Sequence, residues 1–206
     1  MKTLLLAFML SATLGGCFSL GTNKNVPIVT YQLRDSVSVT PSAQPNPRTL
    51  LVLPTSSNPF YDTESMAFSR APDTRGLYQF AHWTERPARR LSSLLLTRLD
   101  AQHAFASVAQ AGSGVKGDWL LDTELLAFYH DAVTAPGSAR VALRADVVDV
   151  RNRSLIARKR FEVSVPAASY DAAGAAQAFN LATSTLLDQV SSWLQTLPMT
   201  DTAQQN

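Results

Sequence analysis

A single cysteine in 206 residues, Cys17, excludes an internal disulfide, a thiolate metal cluster and a paired-cysteine redox centre. The three histidines, His82, His103 and His130, stand far apart and lack the close spacing of a zinc site, so no metal and no cofactor are expected. Charge of one sign is scarce too. Eighteen Lys and Arg against 16 Asp and Glu leave +2, too little for a nucleic-acid binder. Nor is there a long apolar run: residues 4–14 are too short to span a bilayer as a helix. What is present is a core. Apolar residues are 46% and charged residues 17%, which supports one buried interior in a chain of single-domain length. Arg supplies 14 of the 18 cations, so basic surface will favour bidentate contacts to carboxylate or phosphate.

The N-terminus decides the compartment. A short basic start, Met1-Lys2-Thr3, precedes the apolar run, and Gly15-Gly16 then lead to Cys17. This is the layout of a secretory signal. The string Leu14-Gly15-Gly16-Cys17 also resembles the bacterial lipobox, in which the Cys becomes the first mature residue and carries acyl chains. An ordinary signal with an incidental Cys is the plainer alternative. Phe18 rather than Asp follows Cys17, which resembles the sorting pattern of an outer-membrane lipoprotein. Residues 1–16 then form the signal and 17–26 a lipidated flexible tether rich in Ser, Gly, Thr and Asn. Three acyl chains at Cys17 would hold stably, at ~0.8 kcal/mol per buried CH₂.

Residues 27–197 read as one α+β domain, and 198–206 as a polar tail. Short strands are expected over 26–33, 49–53, 64–70, 76–80 and 105–108, with a proline loop at 40–48. Thr84 and Pro87 suit the start of a helix over 85–102, whose stripe is Ala88, Leu91, Leu94, Leu95 and Leu99, with Arg86, Arg89, Arg90 and Arg98 mostly elsewhere. Residues 119–129 fit either a helix or a strand. The strand reading, with a bulge before Phe128, is favoured. Clean alternation over 139–150 and 155–165 gives a hairpin. A final helix over about 170–196 carries a core stripe of Ala172, Ala175, Ala176, Phe179, Leu186, Val190, Trp193 and Leu197. Two amphipathic helices on one face of a mainly antiparallel sheet follow. Trp83, between strand and helix, is expected to seal the sheet–helix junction.

A search for chemistry finds little. Gly112-Ser113-Gly114-Val115-Lys116-Gly117 matches GxGxxG, but a strand rather than a helix is expected to follow it, so a hairpin loop is the better reading. Asp118, Asp122 and Glu124 would share one face of a strand at the surface. The candidate surface is basic: Arg140, Arg144, Arg158 and Arg160 fall on the even-numbered face of the 139–165 hairpin, where they could meet lipid headgroups or an acidic partner. A solvated outer face that keeps the sheet soluble is the favoured reading. Charge pairing across that hairpin predicts that paired residue numbers sum to 306, with Arg144 opposite Glu162 and Asp146 opposite Arg160. A three-residue loop at 152–154 would then hold Asn152 in the left-handed region.

Met66-Ala67-Phe68-Ser69-Arg70, Leu77-Tyr78, Trp83, Pro87, Leu91 and Leu95 resemble the ABC-type transport auxiliary lipoproteins, the PqiC-like group. The opening Tyr31-Gln32-Leu33 is similar, as is the closing helix with Ala178, Asn180, Ala182, Leu186-Leu187 and Trp193-Leu194. Phe68 stands where the family often has Tyr. The resemblance implies a non-enzymatic periplasmic domain, held at the outer membrane through Cys17, that docks to an MCE-domain protein of an ABC lipid transport system between the two membranes. Self-association is left open. The alternative is an outer-membrane lipoprotein that activates a cell-wall synthase.

Overall fold

The computed structural model describes residues 26–198. Cys17, the signal, most of the tether and nearly all of the polar tail lie outside them. The order of elements is β1 (Val29–Tyr31), β2 (Asn46–Val52), β3 (Ser56–Ser57), β4 (Ser65–Ser69), β5 (Gly76–Trp83), α1 (Pro87–Ala101), β6 (Phe105–Gln110), β7 (Trp119–Asp131), β8 (Ser138–Asp149), β9 (Leu155–Pro166) and α2 (Ala172–Gln195). Among the described residues this is an α+β fold, two helices on a nine-stranded mixed sheet.

Strand β7 is the spine of that sheet. One of its edges pairs with β8 along its whole length, and β8 pairs in turn with β9, all antiparallel. Its other edge is shared by three short parallel partners: β2 against 119–121, β3 against 124–125 and β4 against 130–131. Beyond these, β6 joins β2 and β1 joins β5 in parallel, while β4 and β5 form an antiparallel hairpin. The long ladders are thus antiparallel, as expected, and the added short pairings are mostly parallel. The phase slip expected in β7 is a bulge at Leu126, where the β8 register shifts between Leu125 and Ala127. It lets Leu125 and Phe128 both face the interior.

The interior lies between the sheet and the helices. Leu121, Leu125 and Phe128 of β7 and Val141, Leu143, Ala145 and Val147 of β8 meet Leu91, Leu95 and Leu99 of α1 and Phe179, Leu186, Val190 and Leu194 of α2. Trp83 is 2% exposed and stands edge-on to Phe128 and Phe179, with centroids 5.6 and 5.3 Å away, so it seals the junction.

Three local expectations need correction. Helix α1 starts at Pro87 with no side-chain cap, and Thr84 instead donates its backbone N–H to Tyr31. The capped helix is α2, where the Asp171 carboxylate accepts from Gly174 N at 2.8 Å. The β8–β9 pairs sum to 304, not 306, with Arg144 opposite Arg160. Only beyond Val147 does a bulge shift the register. Arg153, not Asn152, adopts the left-handed conformation, with φ 55°. Asp149 sets that loop: its carboxylate accepts from the backbone N–H groups of Arg151 and Asn152 at 2.8 and 2.9 Å. Those two amides are held in an Asx turn, which leaves the reversal to a later residue.

Candidate functional site

The outer face of β7, β8 and β9 carries the basic candidates. Arg140, Arg144, Arg158 and Arg160 do share it, and all four are exposed. Each is met by a carboxylate. Glu124, opposite Arg144 on β7, lies 2.7 Å from it. Arg158 grips Asp146 with two hydrogen bonds of 2.7 Å, Arg160 reaches Glu162 at 2.7 Å, and Arg140 reaches Asp131 at 3.3 Å. This explains the register. The like-charged pair Arg144 and Arg160 is tolerated because each turns sideways to a different acid, and the third strand supplies Glu124, which a two-strand argument leaves out. The hydrogen bonds from Arg158 outweigh partial burial and hold the Asp146 carboxyl below its usual range. Asp122 sits exposed on the same face, and Asp118 lies just before β7, where it accepts from Thr49 N at 2.9 Å and meets Arg151 at 3.3 Å.

A second charged cluster is buried, and periodicity could have located it. Arg98 is 2% exposed, on the core stripe of α1 rather than elsewhere on the cylinder. Positions 91, 94, 95 and 98 are the i, i+3, i+4, i+7 series of one helix face, so the spacing pointed inward while the residue type pointed outward. Arg98 Nε and Nη2 donate to the two carboxylate oxygens of Asp35 at 2.7 and 2.5 Å, and Nη1 donates to Asp188 of α2. Ser184 of α2 donates to Asp35 at 2.8 Å. Burial opposes ionisation of Asp35, but the bonds from Arg98 and Ser184 prevail and hold its carboxyl below the usual value.

Around this pair, residues 33–36 are laced to both helices. Arg90 of α1 donates to the Leu33 carbonyl, and the backbone N–H groups of Arg34 and Ser36 donate to Asn180 and Ser184 of α2, each at 2.9 Å. The segment that leads from the tether is therefore clamped across the helix layer.

The third cluster centres on His130 of β7, which is fully buried. Its Nδ1 lies 2.8 Å from the Tyr78 hydroxyl and its Nε2 3.2 Å from the Pro136 carbonyl. One hydrogen-bond arrangement satisfies both contacts: Nε2–H donates to Pro136 and Nδ1 accepts from Tyr78. Burial pushes the imidazole below its ordinary pKa. Gly137 packs directly on this ring with φ +84°, a place where any Cβ would overlap His130. His82 faces Ser65 at 3.5 Å, and His103 takes a positive φ in the turn after α1. The loop with Gly112 and Gly114 leads into β7 and opens no helix, so it lacks the N-terminus that would hold a pyrophosphate.

Comparison with known proteins bears on most of the chain. The family model described as ABC-type transport auxiliary lipoprotein component matches residues 31–191. Among solved structures, protein XCC0632 from Xanthomonas campestris, of the DUF330 family, is 23% identical with TM-score 0.73, covering 80% of this chain and 93% of that one. An uncharacterized protein is 11% identical with TM-score 0.63, covering 80% and 97%. Both share the fold. No curated protein matches the sequence.

Proposed function

Because this chain belongs to the family of ABC-type transport auxiliary lipoprotein components, we propose that it is the acyl-anchored, periplasm-facing accessory of an MCE-type lipid transport system. In this reading Cys17 carries the acyl chains and holds the domain at the outer membrane, and the domain docks to an MCE-domain protein rather than turning over a substrate. The observation that carries the reading is the family match from Tyr31 to Ser191, with the lipobox string ending at Cys17 fourteen residues upstream. The clamp on residues 33–36 supports it. A domain held by its N-terminus needs that segment fixed to its body, and here both helices fix it. The outer arginine face supports docking of a partner with mixed charge, since its cations are already matched by carboxylates.

Two measurements test this. Cys17→Ser should move the protein from the outer-membrane fraction to the soluble periplasm, or leave it unprocessed. Unchanged fractionation with the outer membrane would remove the anchor. Affinity purification of the detergent-solubilised lipoprotein from its own envelope should bring down an MCE-domain protein. Recovery of a cell-wall synthase instead would overturn the transport role.

A further inference from the structure

Strands β1, β6 and β9 lie at ends of the described sheet, and two of these edges contrast sharply. β9 presents Arg158, Lys159, Arg160 and Glu162 along a free edge, the usual guard against unwanted contact. The β1 edge, beside β5, has no such guard. Residues 25–33 contain no charged side chain at all. Of thirteen large hydrophobic side chains exposed among the described residues, five gather here: Val26, Ile28, Val29, Leu77 and Phe80, between 38% and 65% exposed. Pairing of Val29 with Ala81 brings the two runs side by side. Between them lies an open groove of about 470 Å³, which Tyr31 and Tyr78 also line. Arg70 stands at its margin, stacked over the Phe68 ring at 4.8 Å.

We propose that this apolar edge rests in the headgroup layer of the phospholipid bilayer to which the chain is anchored. The inference rests on the acyl anchor at Cys17. Eight residues separate Cys17 from Val26, a reach of at most ~30 Å when extended, so the edge is the part of the domain that the tether brings first to the membrane. A patch of this size binds lipid weakly as a free surface. Tethering makes the second contact intramolecular and raises its effective concentration to the millimolar range. The chemistry suits that interface: aliphatic and aromatic side chains enter the acyl boundary, while Arg70 at the rim meets phosphate. Docked in this way, the domain has a fixed orientation, with the β9 side of the sheet turned away from the lipid.

The test uses the full acylated protein in vesicles of phosphatidylethanolamine and phosphatidylglycerol that carry nitroxide-labelled lipid. A polarity-sensitive fluorophore is placed on Ile28→Cys, Phe80→Cys or Val115→Cys. Cys17 does not compete, because its sulfur is taken by the acyl thioether. Val115 is as exposed as the patch residues but precedes β7 at Trp119, about 40 Å of strand from the end where β4 and β5 join. Labels at 28 and 80 should shift to the blue and be quenched at least three-fold more than the label at 115. Equal quenching at all three overturns the proposal. So does quenching at 28 alone, which the tether by itself would produce. Shielding of 28 and 80 only when the MCE partner is added also overturns it and makes the edge a protein interface. Flotation separates the two readings. Protein that floats without quenching keeps its anchor and loses the docking, and protein that fails to float loses both.

Discussion

Arg98 and Arg160 each hold a carboxylate in a short ion pair, but 1% of the first side chain is exposed and 63% of the second. The chemistry is the same and the consequences differ. At the outer face, water and salt screen both partners, and fixing two long side chains cancels much of the attraction. Inside, both charges have left water, so each depends on the other, and removing one strands its partner. The outer ladder therefore sets register and solubility, while the inner pair decides whether the segment at residues 33–36 stays on the helices.

Four measurements would break or sharpen this contrast. The largest effect calibrates it with an apolar side chain. Trp83→Ala should cost ~3–5 kcal/mol, read as a large drop in thermal midpoint. A melt that matches the parent would show that the aromatic trio with Phe128 and Phe179 is not a keystone of the core. Next, Arg98→Met should cost about 3 kcal/mol, the low end for breaking a buried pair, because Asp188 is half exposed and can be rehydrated. Adding Asp35→Ala should recover part of that loss. A double-mutant cycle should give a coupling of about 2 kcal/mol for Arg98 with Asp35, within the 0.5–3 kcal/mol seen for contacting residues. Coupling near zero would place the latch in the same class as the surface pairs.

Acid should act on the inner region in two stages. The His130 pKa is lowered on folding from 6.5, so the unfolded chain binds the proton first and stability falls as pH drops below about 6.5. The slope is at most about 1.4 kcal/mol per pH unit for this one proton, and His130→Gln should remove it. Asp35 is also lowered, from 3.8, so its contribution is complete above that value and is lost as pH falls further. A stability profile flat from pH 7 to 5 would contradict the first stage. The smallest effect belongs to the outer face: Arg160→Ala should change stability by about 0.5 kcal/mol or less, and chemical denaturation is the measurement. A loss of several kcal/mol would mean that the ladder is structural after all.

The sequence shows these two regions unequally. Alternation over 139–150 and 155–165 points to two of the long strands, because one face is buried and the other charged, and over 119–129 it favours a third strand with a bulge over a helix. The two helices followed from their stripes. Arg98 was misread because charge was weighed above spacing. The 304 register was missed because Glu124 comes from a third strand, and no pairwise score over two strands contains it. The short parallel pairings with β7 had no local signal. A two- or three-residue match is decided by which chain end the tertiary fold brings alongside. The outer arginines were legible as a face, but not as a face already matched by acids, since Asp131 and Glu124 belong to a neighbouring strand.

The shared edge of β7 also has a kinetic meaning. β7, β8 and β9 form a meander whose contacts are local in sequence, and such contacts close quickly. Pairing of β2, β3 and β4 with β7 spans roughly 60 to 70 residues, with a larger loop-closure cost. A chain delivered N-terminus first presents those three strands before their common partner has arrived. The N-terminal half must then wait, unpaired on that side, until residues 119–131 emerge to receive it.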